Sequence, residues 1–88
     1  MNQQGPFIGI DVSKDKFDAA VRPSGESKMF ANTHEDLRHL TQYILSLKPV
    51  LVVLEATGGL HRAVLSTLAA EGLPVVAVNP RQVRNFAK

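Results

Sequence analysis

Two carboxylates, Asp11 and Glu55, each stand at the end of an apolar run of the sequence. Asp11 follows "FIGI" (residues 7–10), and Glu55 follows "VLVVL" (residues 50–54). Both runs are typical of buried strands, and a charged side chain at the end of a buried strand costs free energy unless its charge is used or paired. The pattern therefore raises the question of what these two carboxylates hold.

The chemistry open to such a pair is the binding of a divalent cation. If the two strands are parallel neighbours, their carboxyl ends lie side by side at about 4.8 Å, where ligand sites of open α/β sheets form. Two carboxylates at that distance repel each other unless a cation lies between them. Mg²⁺, or Mn²⁺ in its place, fits a pair of carboxylates and would support phosphoryl transfer. The alternative, that each acid caps a strand end or pairs with a lysine, stays open because spacing alone does not decide.

The apolar pattern predicts the elements that must position these side chains. Strands are predicted at residues 7–12, 16–22, 28–31, 50–55 and 74–79. The predicted helices are one capped by Thr33 and stopped by Pro49, one over residues 60–71, and one that begins at Pro80. The run "VLVVLE" is apolar without interruption, which predicts a strand buried on both faces.

This order of elements, β-β-β-α-β-α-β-α, predicts a mixed five-stranded α/β sheet with helices packed on it. The second and third strands would be antiparallel, whereas the first, fourth and fifth would be parallel. That is the order of the ribonuclease-H-like (RuvC-like) fold. It is also the opening half of the actin and sugar-kinase fold, so the topology leaves two architectures open.

Composition narrows the class of protein further. Eighty-eight residues make one domain or part of one, and the absence of cysteine excludes disulfides and thiolate zinc sites. The sequence has no apolar run of membrane-spanning length and no signal peptide, which predicts a cytoplasmic protein with no membrane partner. Residues 60–88 carry four Lys/Arg against one acid, a net of +3, which hints at a polyanionic partner.

Three segments carry a family resemblance: "FIGIDVSKDKFDAAV", "VVLEATGG" and "GLPVVAVNPRQVRNFAK". They closely resemble the amino-terminal domain of the DEDD transposases of the insertion-sequence-110 family, to which the Piv-type DNA invertases are related. The similarity runs from about Phe7 to Lys88. Members of this family carry a RuvC-like domain whose Asp-Glu-Asp-Asp tetrad binds divalent metal. By this resemblance Asp11 matches the first Asp of the tetrad, and Glu55 matches its Glu.

The resemblance also implies what the chain lacks. The other two Asp belong to a Lys-Thr-Asp-x-x-Asp-Ala motif that follows the segment matching "NPRQVRNFAK", and a catalytic Ser lies in a separate carboxyl-terminal domain; this chain ends before both. Residues 1–88 are therefore expected to be a single domain, the amino-terminal part of a DNA transposase or site-specific recombinase catalytic domain, inactive alone. The resemblance implies that the partners are DNA and the rest of the protein's own chain, and that the full-length protein is a homo-oligomer. In several members of the family a guide RNA encoded by the element is a further partner. The resemblance also implies a bacterial protein. Leu60 departs from the family, where an aromatic residue often follows "ATGG".

Nucleic-acid contacts are predicted at two further places. Thr57 and Gly58 follow Glu55 directly and would lie beside a metal-bound phosphate, although glycines of "ATGG" are also typical turn residues. Arg81, Arg84 and Lys88 are spaced at i, i+3 and i+7, one helical face that either binds phosphates or is simply solvated.

Other readings of the sequence are weaker. An actin-like kinase lobe is expected to have Asp-x-Gly-x-Thr at the position where this chain has "DVSKD". A non-enzymatic interaction module is the second alternative. The histidines lack zinc spacing, and Ser13 and Ser66 lack an identifiable base. The remaining strand, loop and helix-end acids are interpreted as solvated charges: Asp15, Asp18, Glu26 and Glu71.

Overall fold

A computed structural model of the chain describes residues 5–56 and 58–78. Its elements are β1 (Phe7–Val12), β2 (Lys16–Arg22), β3 (Ser27–Ala31), α1 (His34–Leu47), β4 (Leu51–Glu55), α2 (Arg62–Ala70) and β5 (Val75–Val78). They form one five-stranded sheet in the order β3-β2-β1-β4-β5. β2 is antiparallel to both β1 and β3, whereas β4 is parallel to both β1 and β5. The predicted mixed sheet is confirmed.

The predicted boundaries within the described residues lie within two residues of the observed ones; β5 begins at Val75 instead of residue 74, and α2 ends at Ala70 instead of residue 71. β1 and β2 begin and end as predicted, and β3 and β4 each shift by one residue at the start. The second helix was predicted over residues 60–71 but begins only at Arg62, because Gly58 and Gly59 adopt positive φ angles that belong to a turn. The predicted helix that begins at Pro80 lies outside the described residues.

Both described helices cover the same face of the sheet. The crossovers from β3 to β4 and from β4 to β5 move across the sheet in the same direction, so right-handed connections place α1 and α2 on one side. Their apolar stripes meet the alternate strand residues that point to that side. The core comprises Ile8, Ile10, Val12, Phe17, Ala19, Val21, Phe30, Leu37, Leu40, Ile44, Val52, Leu54, Ala56, Val64 and Leu68. Among the described residues there is no helix with the length and apolar character needed to cross a membrane.

The opposite face of the sheet is not covered by the described residues. Phe7 keeps 46% of its surface exposed and Val76 keeps 45%. In β4 only Val52 and Leu54 are fully buried, whereas Leu51 and Val53 are half-buried. Within residues 5–56 and 58–78, the prediction that β4 is buried on both faces is therefore wrong. The alternation of buried and half-buried residues is that of a strand with one covered face.

The packing of α1 on the sheet edge joins aromatic side chains to a lysine. Tyr43 of α1 lies against Phe30 of β3, with ring centroids 5.8 Å apart. The Lys28 Nζ atom sits 5.1 Å from the Tyr43 ring centroid and 5.7 Å from that of Phe30, within cation–π range. Burial raises the pKa of the Tyr43 hydroxyl, and the charge of Glu26 raises it further. These contacts attach the third strand to the helix that follows it.

The start of α1 is fixed by two polar side chains. The Thr33 hydroxyl accepts a hydrogen bond from the backbone N–H of Asp36 at 3.1 Å, as an N-cap does. The Asp36 carboxylate accepts another, at 2.9 Å, from the backbone N–H of Ala31 in β3. Helix and strand are therefore tied together at the junction that leads into the carboxyl edge of the sheet.

Replacing Thr33 with alanine is expected to lower the free energy of unfolding by about 1 kcal/mol, because the cap hydrogen bond to Asp36 is lost. Urea unfolding followed by circular dichroism measures this change. Thr33→Ser keeps the hydroxyl and is the matched control, expected to unfold within a few tenths of a kcal/mol of the original chain. Equal losses for both variants would show that the hydroxyl does not cap the helix.

Candidate metal centre

The register of the central strands brings Asp11 and Glu55 together. They are direct Cα partners in the parallel pair of β1 and β4, the last partners of that pair. Neighbouring strands lie about 4.8 Å apart, so the two side chains leave the sheet next to each other. Both point to the face opposite the core, since Ile10 and Leu54 before them are buried. Asp11 is exposed and Glu55 is half-buried. The prediction that these strand ends are adjacent is confirmed.

A third carboxylate extends this pair into a row. Asp18 of β2 is the Cα partner of Asp11 on its other side. The side chain of Asp18 is 47% exposed, and its Oδ2 atom lies 3.7 Å from the Nζ atom of Lys16. From the sequence, Asp18 is interpreted as a solvated charge. Its place opposite Asp11 is set by the antiparallel register of β1 and β2, which the alternation of β2 alone does not fix.

The loop that follows Asp11 is held by a hydrogen-bonded turn. The Ser13 hydroxyl donates to the backbone carbonyl of Lys16 at 3.0 Å and accepts from the backbone N–H of Lys16 at 3.2 Å. The Asn32 side-chain amide donates to the Ser13 carbonyl at 2.7 Å. The backbone N–H of Asn32 also donates to the Asp15 carbonyl at 3.0 Å. These bonds fix the loop beside the candidate site, and they give the Ser13 hydroxyl a structural role. Asn32 was not singled out from the sequence, because its contact is made across 19 residues.

The chain turns directly after Glu55 through two glycines in the left-handed region. Gly58 has φ 65° and Gly59 has φ 78°, values that other residues adopt only with strain. The prediction that these glycines form a turn is confirmed. Apart from Gly58 itself and its two chain neighbours, no heavy atom of the described residues would lie within 4 Å of a Cβ added to Gly58, so the turn is open at that point.

Of the predicted nucleic-acid contacts, only Gly58 lies within the described residues, in the turn after β4. The others lie outside the described ranges: Thr57, Arg81, Arg84 and Lys88. The contacts of all five with nucleic acid remain predictions.

The donor set at the sheet edge fits a hard divalent cation. Asp11 and Glu55 offer carboxylate oxygens, which Mg²⁺ prefers, and both are accessible from the uncovered face. Within residues 5–56 and 58–78, no three or more His, Cys, Asp or Glu are grouped so as to hold a metal ion. Such a pair is sufficient for Mg²⁺, because this ion is usually held by one or two carboxylates and completes its shell with water and phosphate oxygens.

The fold is shared with a solved nuclease complex. Among the solved structures, 11 chains match, and one of them is T. thermophilus RuvC in complex with Holliday junction substrate. That chain is 15% identical, with a TM-score of 0.64, and the match covers 93% of this chain and 69% of that chain. The likeness shows the fold: the chain has a ribonuclease-H-like fold similar to that of RuvC.

The family follows from the sequence match. The family model DEDD_Tnp_IS110, described as Transposase, matches residues 8–88. The chain belongs to the IS110 family of DEDD transposases, and it carries sequence of a DNA transposase catalytic domain. The comparison with curated proteins returns no match. Neither the family nor the solved structure points to an actin-like kinase lobe. Transposases and nucleases of this kind act on nucleic-acid strands and generally use divalent metal ions.

Proposed function

We propose that Asp11 and Glu55 hold a Mg²⁺ ion for the cleavage and transfer of DNA strands. The observation that carries this proposal is their pairing as direct partners at the carboxyl ends of parallel β1 and β4. DNA as the substrate is supported by the transposase family of the chain and by the Holliday junction bound to T. thermophilus RuvC. Mn²⁺, similar in its oxygen ligands, is the alternative ion.

The role of this chain's residues is to hold charge at a fixed place. The two carboxylates lie on neighbouring strands of the sheet, and the hydrogen-bonded turn at Ser13 keeps the loop after Asp11 in one conformation. A bound divalent ion would polarise a phosphoryl oxygen and stabilise the leaving oxygen of the phosphodiester. The side chains of Asp11 and Glu55 face away from the core, towards the uncovered face of the sheet, from which a DNA phosphate can approach.

The remainder of the machinery comes from outside this chain in our proposal. In the family pattern two further Asp and a catalytic Ser follow in later segments, and we propose that the intact transposase supplies them. The 88-residue chain alone then binds metal through two carboxylates but cleaves no DNA. A guide RNA and a homo-oligomer of the intact protein remain predictions from the family resemblance.

Titration of the ¹⁵N-labelled chain with Mn²⁺ tests the metal site. Paramagnetic broadening of amide signals is expected to centre on residues 10–13 and 54–56, because these flank the two carboxylates. Asp11→Asn should remove the broadening at both strand ends, since the remaining carboxylate is a single ligand. Glu71→Gln, at the exposed C-cap of α2, is the control and should leave the pattern unchanged.

Two results would contradict the proposal. Broadening scattered equally over all exposed acids would mean that the sheet edge does not bind the ion as a unit. Broadening at residues 10–13 that persists in Asp11→Asn would mean that other groups hold the ion.

A further inference from the structure

The turn after β4 places a cation, Arg62, at the same edge of the sheet as the two carboxylates. Arg62 is the first residue of α2, and its side chain folds back over the turn at Gly59. The Arg62 Nε atom lies 3.2 Å from the position that a Cβ would take on Gly59, and the Cδ and Cζ atoms lie 3.9 Å from it. Glycine at position 59 therefore leaves room for the guanidinium group beside the backbone, four residues after Glu55.

Among the described residues, no acidic side chain forms an ion pair with Arg62. All eight acidic residues of the sequence lie in the described ranges. The ion pairs they make join Lys16 to Asp18 and His39 to Asp36, and none involves Arg62. Arg62 itself is exposed. Within residues 5–56 and 58–78 its guanidinium group makes no ion pair, and its fork of N–H donors matches the geometry of a phosphate.

A cation at this edge of the sheet would offset the repulsion between the carboxylates and a DNA phosphate. Asp18, Asp11 and Glu55 form a row of three carboxylates across neighbouring strands, and a DNA phosphate brought to that row meets like charge. Lys16 is already paired with Asp18 on one side of the row. Arg62 begins α2, which follows β4 at this edge, and at the amino end of a helix the dipole also favours an anion.

We infer that Arg62 binds a backbone phosphate of the DNA, next to the phosphodiester addressed by Asp11 and Glu55. This inference rests on the proposed function, because it takes DNA as the substrate. Arg62 is a positioning residue: it fixes where the strand lies relative to the carboxylate pair, and Gly59 keeps the space that its side chain needs.

A DNA titration of the full 88-residue chain tests the inference. A short DNA duplex is added to ¹⁵N-labelled protein at two salt concentrations, and both amide and Arg62 Nε–H signals are followed. In the original chain we expect saturable shifts at residues 58–65 and at the Arg62 side chain. Arg62→Ala should weaken binding about tenfold and lower the slope of log affinity against log salt by about 1. The DNA affinity of Arg62→Lys should lie between those of the original chain and Arg62→Ala, because lysine keeps the charge but loses the fork of N–H donors.

Arg22→Ala is the matched control, because Arg22 is an exposed arginine at the opposite end of the sheet, paired in register with Phe7. Equal losses for Arg22→Ala and Arg62→Ala would overturn the inference in favour of general charge attraction. Absence of DNA-dependent shifts at residues 58–65 in the original chain would overturn it as well. The Mn²⁺ titration depends on Asp11 and not on Arg62, so a failure of this inference and a failure of the proposed metal site give different results.

Discussion

Replacing Leu54 with alanine is expected to remove about 2–5 kcal/mol from the free energy of unfolding. Leu54 has no exposed surface and packs in the core beneath both helices, on the strand between β1 and β5. Truncation removes its buried methyl groups and leaves a cavity, since a central strand held by two ladders cannot collapse into the gap. A domain of this size has a net stability on the order of 5–10 kcal/mol, so the loss is a large share of it.

Urea unfolding of the 88-residue chain measures this effect. The midpoint should fall by about a fifth or more while the slope of free energy against urea stays unchanged. Met29→Ala is the control, because Met29 is 61% exposed on β3 and its truncation should cost within about 0.5 kcal/mol. A Leu54→Ala midpoint as high as that of Met29→Ala would show that β4 is not packed as described.

The carboxylate pair could be predicted from the sequence because the signals that place it are local. Each acid directly follows an apolar run that is long enough for one strand. Two antiparallel connections make β3 run in the same direction as β1, and the β3-α1-β4 crossover makes β4 run in the same direction as β3. Parallel strands end at the same edge, so the ends of β1 and β4 meet without any knowledge of side-chain contacts. The β1–β4 register that pairs Asp11 with Glu55 is the one that aligns the two apolar runs.

The rest of the site depends on contacts that no local pattern contains. Asp18 joins the carboxylate row through the antiparallel register of β1 and β2, which is set by the length of a turn. Asn32 reaches the Ser13 carbonyl across the hairpin. The side chain of Arg62 lies over Gly59 only as one of several rotamers that the sequence allows. Each of these requires three-dimensional positions, which composition and periodicity do not supply.

The error on β4 has a similar origin. Its sequence is apolar on both faces, and this predicted a strand covered on both sides. A strand's own residues report how apolar each face is, whereas the covering layer comes from other elements. The two described helices lie in crossover connections that run in the same direction across the sheet, and they therefore occupy the same face. Leu51 and Val53 consequently remain half-buried within the described residues.

In the intact transposase, Asp11→Asn and Glu55→Gln are each expected to abolish metal-dependent DNA strand cleavage and transfer. Each change keeps the shape of the side chain and removes one of the charges proposed to hold the ion. Loss of an outer-shell partner of a metal typically costs about 10–100-fold, so loss of a direct ligand should cost at least about 100-fold. A recombination assay in Mg²⁺ measures this, with Glu71→Gln as the control at the far end of α2. Retained activity in Asp11→Asn would contradict the proposal.

The same two substitutions separate a metal site from a structural cap by their effect on stability. If Asp11 and Glu55 serve only to satisfy strand ends, neutralising either one should destabilise the fold. If they are a cation site, they repel each other when no metal is bound, because they are direct neighbours across β1 and β4. Without metal, Asp11→Asn should then raise the free energy of unfolding by a few tenths to about 1 kcal/mol, and added Mg²⁺ should stabilise the original chain more than the variant. Greater stability combined with lost activity is the result that only a functional carboxylate pair explains, since an active site accepts strain that the fold alone would remove.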